Sequence, residues 1–141
     1  MIITDERYDR SRRLFGVAGQ RKLSGTRVAV GGISGLGSPM VQHLGLLGVA
    51  HVAMIEPQEL DNTNRNRFVG AKSTDPVPGS PKVDLAERLL AEINPHVAVT
   101  KIRSSIVSAE AFAAVKAADS IMLSSQRSNA AKDRPSRRQR G

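Results

Sequence analysis

The stretch RVAVGGISGLGSPM, residues 27–40, decides the fold. Its first five residues form a short, β-branched apolar run, which predicts a buried strand. A glycine-rich turn follows, and Ser38-Pro39 then opens a segment whose apolar residues recur at helical spacing up to Gly48. A strand, a glycine-rich turn and a helix in this order are typical of α/β domains in which the turn holds a phosphate at the helix N-terminus.

The rest of the chain continues this alternation. Residues 51–56, 96–102 and 120–123 are predicted strands, and residues 81–93 and 110–118 are predicted helices. The order β-α-β-loop-α-β-α-β predicts an α/β fold with a Rossmann-like, doubly wound, mostly parallel sheet.

Three parts of the chain differ in composition. Residues 1–24 are rich in charge and predict an N-terminal helical segment of one or two short helices. Residues 25–124 carry the strand and helix pattern and form the predicted nucleotide-binding domain. Residues 125–141 contain no large apolar residue and no periodicity, so we expect a disordered basic tail.

Composition excludes several classes of function. The chain has no cysteine, so it contains no disulfide, thiolate nucleophile or cysteine-bound zinc. No apolar run is long enough for a membrane span, and the N-terminus does not resemble a secretory signal, so we expect a cytoplasmic protein with no membrane partner. Of the net charge of +8, residues 126–141 contribute +5. Because the arginines of this tail are not accompanied by aromatic residues, nucleic-acid binding is not favoured.

The glycine-rich turn and an acidic residue together predict a nucleotide site. Gly32, Ser34, Gly35 and Gly37 form the turn, with Ser34 at the middle position of a GxGxxG reading. Glu56 ends the second strand, 24 residues after Gly32, where a carboxylate can take the ribose hydroxyls of a nucleotide. This combination suits NAD and ATP equally.

The segment LDNTNRNRF, residues 60–68, and Lys82 favour ATP. Arg65 and Arg67 suggest contact with more than one phosphate, since guanidinium groups hold phosphate in a bidentate manner. Lys82 lies at the predicted start of a helix, where a cation opposes the helix dipole unless an anionic group lies beside it. Cleavage between the α- and β-phosphates of ATP requires such cations, whereas hydride transfer does not.

Several motifs in order resemble one known family. RYDRSRRLFGVAGQRKLSGTRVAV, GLGSP, ELDNTNRNR, GSPKV and INPHVAV are similar to the N-terminal half of the ThiF/MoeB/HesA-type adenylyltransferases, which resemble the ubiquitin-activating enzymes. The resemblance covers residues 6–119. It implies that ATP and Mg²⁺ are used to adenylate the C-terminal glycine of a ubiquitin-like or sulfur-carrier protein.

The resemblance also implies roles for individual residues. The loop at Gly32 would accommodate the nucleotide, and Glu56 stands where the family usually has an aspartate for the ribose. Asn64 and Arg67 would contact phosphate, and Lys82 would contact phosphate during the attack. Arg10 would reach into the site of a partner subunit, which implies a homodimer.

The end of the chain departs from the family. Gln126 and Arg127 stand where the family has the magnesium-binding aspartate and the asparagine after it, and neither replaces a carboxylate as a ligand, so we predict no metal ligand in this chain. The later strands of the family fold have no counterpart in the sequence, which predicts an incomplete domain without turnover. Two alternatives remain at this point: an NAD(P)-binding oxidoreductase domain, and a non-catalytic module that dimerises with a full-length homologue.

Overall fold

The computed structural model describes residues 5–124, in which parallel strands alternate with helices. A short 3-10 helix at Glu6–Tyr8 precedes the first α-helix, and another at Asn62–Asn64 lies between β2 and α3. In chain order the main elements are α1 (Asp9–Gly25), β1 (Arg27–Gly31), α2 (Gly37–Leu47), β2 (His51–Ile55), α3 (Lys82–Ile93), β3 (Ala98–Ile102), α4 (Ala109–Lys116) and β4 (Ser120–Leu123).

The four strands form one sheet in the order β3-β2-β1-β4, and every pair is parallel. Val30 of β1 lies opposite Met54 of β2 on one side and Met122 of β4 on the other. The chain therefore runs outward from β1 to β3 and then returns to add β4 on the opposite side of β1. This reversal creates a crevice at the carboxyl ends of β1 and β4, and it confirms the predicted Rossmann-like sheet.

The main core lies on the face of the sheet that α2 and α3 cover. Alternate strand residues point into it because side chains along a strand alternate between the two faces. On the opposite face, α4 packs Ala111 near Ile55 and Ile102. The strand and helix residues at the centre of the main core are Val28, Val30, Val52, Met54, Val41, Leu44 and Leu90.

Helix α1 packs at the amino edge of the sheet. It is broken at Gly16, whose φ of 75° is outside the helical region, so α1 consists of two helical pieces. Asn94, at the end of α3, donates from its side-chain amide to the Tyr8 hydroxyl at 2.7 Å. Gln20 donates to the carbonyl of Leu47 at the end of α2 at 3.2 Å. Because α2 and α3 both end at the amino edge, these contacts fix α1 there.

The long segment between β2 and α3 contains no strand, as its composition predicts, but it is held firmly. Arg88 of α3 donates to both carboxylate oxygens of Asp75, at 2.7 and 2.8 Å, and to the carbonyl of Gly70 at 2.7 Å. The backbone N–H of Lys72 also donates to Asp75, at 2.6 Å. These bonds tie the loop to the helix that begins at Lys82.

The predicted third strand begins two residues too early. His96 donates from its backbone N–H to the Asn94 side chain at 3.3 Å, and Val97 donates to the Asn94 carbonyl at 3.3 Å. These bonds form a turn after α3, and the strand starts only at Ala98. Within residues 5–124 no helix combines the length and apolar content that crossing a bilayer requires. The predicted basic tail, with Gln126 and Arg127, lies outside the described residues.

Candidate functional site

The glycine-rich turn that follows β1 requires glycine at two positions. Gly32 has a φ of +86°, and a Cβ there would lie 2.1 Å from the carbonyl oxygen of Ser124. A Cβ on Gly37 would lie 1.9 Å from the carbonyl oxygen of Gly32. The Ser124 hydroxyl donates to that same Gly32 carbonyl at 2.6 Å. The turn is therefore packed directly on the residue that follows β4.

The turn presents unused backbone donors at the start of α2. The N–H groups of Gly35, Leu36 and Gly37 donate no hydrogen bond to any residue from 5 to 124. Ser34 is buried, and its carbonyl accepts from the Ser38 N–H at 2.9 Å and from the Ser38 hydroxyl at 2.6 Å. Free N–H groups at the positive end of a helix are suited to binding an anion.

Glu56 is a buried part of this site. It follows β2 directly and is only 7% exposed. Its Oε1 accepts from the backbone N–H of Ile33 at 3.3 Å, and its Oε2 accepts from the N–H of Gln58 at 3.3 Å. The carboxylate is thus fixed beside the glycine-rich turn, where the sequence predicted it, and it is not a solvated charge at a strand end.

Lys82, the first residue of α3, carries its ammonium into the same region. The residue is 1% exposed, its Nζ donates to Gln58 Oε1 at 3.1 Å, and Glu56 Oε1 lies 4.0 Å from Nζ. Burial lowers the pKa of Lys82, the Glu56 carboxylate opposes that effect, and the Arg67 guanidinium adds to it. The anionic group that the sequence required beside this helix start is therefore Glu56.

Arg67 completes the cationic part of the site. Its side-chain stem covers the glycine-rich turn, since a Cβ on Gly35 would lie 3.1 Å from Arg67 Cδ. Its Nη1 donates to the Thr63 carbonyl at 2.8 Å and to Asn66 Oδ1 at 3.2 Å. The Nε and Nη2 donors form no hydrogen bond with another residue of the described part. They are suited to hold an anion that binds at the turn.

The sequence matches one family over most of its length. The pattern of the ThiF family matches residues 8–130. The chain belongs to the ThiF family. It is 31% identical over 118 residues to a molybdopterin-synthase adenylyltransferase of Escherichia coli, a match that covers 82% of this chain and 47% of the relative. It is 33% identical over 116 residues to the heterocyst protein HesA of Trichormus variabilis, covering 81% of this chain and 43% of that protein.

Solved structures have the same fold. Crystalline Escherichia coli tRNA N6-threonylcarbamoyladenosine dehydratase in complex with ATP superposes with a TM-score of 0.78 at 22% identity, covering 90% of this chain and 53% of that one. Escherichia coli MccB superposes with a TM-score of 0.76 at 24% identity, covering 89% of this chain and 39% of that one. The chain therefore spans about half the length of the two ThiF-family relatives named above.

Asn64 has a structural role beside its predicted one. It is buried, and its Oδ1 accepts from the backbone N–H of Asp61 at 3.1 Å, while Asp61 accepts from the Thr63 N–H at 2.8 Å. This pair caps the short 3-10 helix before Arg67. Within residues 5–124 the side-chain amide nitrogen of Asn64 forms no hydrogen bond, so it can donate to a ligand.

Arg65 does not join the site, in contrast to the sequence-based interpretation of two phosphate-binding arginines. Its guanidinium donates to the side chain of Asn62 at 2.9 Å and to the carbonyls of Lys72 at 2.7 Å and Asp75 at 2.6 Å. These three bonds hold the loop together. The interpretation is not supported for Arg65, because each of its three guanidinium nitrogens already donates within the loop.

Arg10 lies far from the glycine-rich turn of its own chain. It is exposed on α1, two residues after Tyr8, whose hydroxyl is fixed at the end of α3. That end of α3 is at the amino edge of the sheet, whereas the turn is at the carboxyl edge. The structure therefore does not bring Arg10 together with Glu56, Arg67 and Lys82.

Gln58 is a site residue that sequence reasoning missed. It bonds to both Glu56 and Lys82, as given above, and its carbonyl also accepts from the Lys82 N–H at 3.1 Å. Its position two residues after a strand-end carboxylate is the signal that could have indicated it.

The described residues can be compared with the ligands that a metal ion requires. Among residues 5–124 no group of three or more His, Cys, Asp or Glu side chains is placed to hold an ion. Gln126, at the position where the family would supply an aspartate, lies outside that range. Residues 5–124 thus contain no cluster that would hold the magnesium ion without the nucleotide, and we derive no step through it.

Proposed function

We propose that this chain binds ATP and belongs to an adenylyltransferase that activates the C-terminal glycine of a ubiquitin-like or sulfur-carrier protein. The observation that carries the proposal is the position of two cations around the glycine-rich turn: the Arg67 stem covers Gly35, and the Lys82 ammonium lies 4.0 Å from Glu56, which accepts from the turn at Ile33. The Arg67 guanidinium lowers the pKa of Lys82, and a polyphosphate bound beside both cations would offset that repulsion. A nicotinamide dinucleotide would use the turn and Glu56, but hydride transfer releases no pyrophosphate whose charge Arg67 and Lys82 would stabilise.

In this function the protein acts by positioning and by charge. A terminal carboxylate oxygen of the carrier attacks the α-phosphorus of ATP, an acyl–phosphate bond forms, and the bond to the bridging oxygen of the β-phosphate breaks. The electron pair leaves with pyrophosphate, so negative charge develops there. Arg67 and Lys82 would stabilise that charge, while Glu56 would hold the ribose and the free N–H groups would hold phosphate oxygens. No protein nucleophile is required.

Isothermal titration with ATP tests the proposal. The wild type is compared with Arg67→Ala and with Arg21→Ala, a control that removes the same charge from an exposed position on α1. We expect Arg67→Ala to weaken binding by about 1–3 kcal/mol, the value of charge-assisted hydrogen bonds, and Arg21→Ala to change it little.

Two results would contradict the proposal. If a folded wild-type chain binds NADH more tightly than ATP, the site belongs to an oxidoreductase domain. If it binds neither nucleotide, the chain is a non-catalytic module of its family, and co-elution with a full-length homologue would then be the expected behaviour.

We propose further that Arg10 acts on the site of a second copy, because in its own chain it lies at the other edge of the sheet. The working unit would then be a homodimer in which each site combines Lys82 of one protomer with Arg10 of the other. Arg10→Ala and Lys82→Ala should each weaken ATP binding. Mixing the two variants should restore tight sites in the mixed dimers, each of which has one site with both residues intact. If mixing restores none, Arg10 does not act across the dimer.

A further inference from the structure

Gln58 connects the two charged groups that lie beside the glycine-rich turn, the Glu56 carboxylate and the Lys82 ammonium. Its backbone N–H donates to Glu56 Oε2 at 3.3 Å, its carbonyl accepts from the backbone of Lys82 at 3.1 Å, and its side-chain Oε1 accepts from Lys82 Nζ at 3.1 Å. No other residue of the described part bonds to both groups. The backbone pair fixes the start of α3 against the segment that follows β2, so the side chains of Gln58 and Lys82 face each other in a set geometry.

The bond from Lys82 Nζ to Gln58 decides where the ammonium points. Glu56 Oε1 is 4.0 Å away, which is an ion pair but beyond a hydrogen bond. An ammonium group has three N–H donors. Within residues 5–124, Gln58 Oε1 is the acceptor for one of them. The others remain available to a ligand at the turn.

We propose that Gln58 is a positioning residue: its side-chain oxygen orients the Lys82 ammonium for contact with the phosphates of a nucleotide. This inference rests on the proposed function. It differs from a purely structural role because it assigns a function to one side-chain atom, Oε1. The backbone bonds of Gln58 would survive most substitutions, whereas the bond to Nζ would not.

Two substitutions of Gln58 separate these roles. Gln58→Leu keeps the approximate size and removes the acceptor. Gln58→Glu keeps an acceptor at the same place and makes it anionic. Because Gln58 is exposed, both variants should fold, which circular dichroism checks. Gln42→Glu, on the partly exposed side of α2, is the control for added charge.

The first measurement is the pKa of the Lys82 amine in the chain without nucleotide. NMR titration of lysine side chains labelled with ¹³C gives this pKa. The charged groups that act on this amine are Glu56, Asp61 and Arg67. We expect Gln58→Leu to lower the pKa of Lys82, because burial then acts without the acceptor. We expect Gln58→Glu to raise it, because a carboxylate favours the ammonium.

The second measurement is ATP affinity by titration. Gln58→Leu should weaken ATP binding about threefold to tenfold, because Lys82 keeps its charge and loses only its orientation, while Gln42→Glu should not. If the pKa of Lys82 is the same in both Gln58 variants and in the wild type, the positioning role is refuted. If it moves in opposite directions but the wild type does not bind ATP, Gln58 positions Lys82 and the proposed nucleotide is wrong. Unchanged affinity in Gln58→Leu, with a wild type that binds ATP, overturns the inference.

Discussion

Replacement of Asp75 by asparagine should remove the main anchor of the loop that carries Arg67. The pKa of Asp75 is lowered from 3.8 to about 2, and the hydrogen bonds from Arg88 contribute most to this decrease. Since one pKa unit corresponds to about 1.4 kcal/mol, the ionised carboxylate stabilises the fold by about 2 kcal/mol at neutral pH. The side chain of Asp75 is only 8% exposed, so solvent screens this interaction little.

Urea unfolding of the wild type and Asp75→Asn measures this contribution. At pH 7 we expect the variant to be less stable by about 2 kcal/mol. Asp84→Asn is the matched control, because Asp84 pairs with Lys101 at 2.9 Å but is 51% exposed. An exposed pair of this kind contributes less than about 1 kcal/mol.

The pH dependence gives a second test of the same reasoning. The folded-state pKa of Asp75 is below its unfolded value, so the stabilisation is complete above 3.8 and is lost as the pH falls from 3.8 towards about 2. The difference in stability between wild type and Asp75→Asn should therefore shrink across that window. If the variant loses no more stability than Asp84→Asn, or if the difference stays constant down to the lowest pH, the ion pair does not anchor the loop.

Two further substitutions test the packing around the site and at the opposite edge of the sheet. Gly32→Ala should destabilise the fold by at least about 2 kcal/mol in a urea titration, because the φ of Gly32 is +86° and the new Cβ would meet the Ser124 carbonyl. Gly25→Ala is the control: a Cβ there meets no atom within 4 Å, so this variant should be neutral or stabilising. Tyr8→Phe should lower the free energy of unfolding by about 1–3 kcal/mol, because the buried side-chain amide of Asn94 loses an acceptor at 2.7 Å. Thermal or urea unfolding measures this change, and a decrease below about 0.5 kcal/mol would show that Asn94 finds another partner.

The parts of the fold that local patterns encode could be predicted from the sequence. The β-branched run at 27–31, the glycine-rich turn and the apolar face of 81–93 each specify an element through their own residues, and the structure has all three. The start of β3 could not be predicted, because the Asn94 side chain forms a turn that takes two residues from the expected strand. The turn itself is local, but the Asn94 side chain is held in place by bonds to Tyr8 and Gly45, which are distant in the sequence.

The neighbour of Lys82 could be anticipated from the sequence, because a lysine at a helix start has few physical explanations. Lys82 at a helix start is unfavourable without a neighbouring anion, and the structure supplies Glu56. Arginine has several uses, so Arg65 and Arg67 could not be distinguished from spacing alone, although one ties the loop together and the other covers the turn. Gln58 carries no charge and fits no motif, and only the folded chain reveals its contact with Lys82.

The bond from Ser124 to Gly32 has a consequence for the order of folding, since it joins residues that are 92 positions apart. Strands β1 and β2 need only α2 between them, so they can pair early during synthesis. The glycine-rich turn that leaves β1 acquires its contact with Ser124 only when β4 reaches the sheet. A nascent chain can therefore form most of its hydrophobic core while the turn still lacks this contact. Nucleotide affinity, measured on chains released at increasing length, would then report the docking of β4 as the final step.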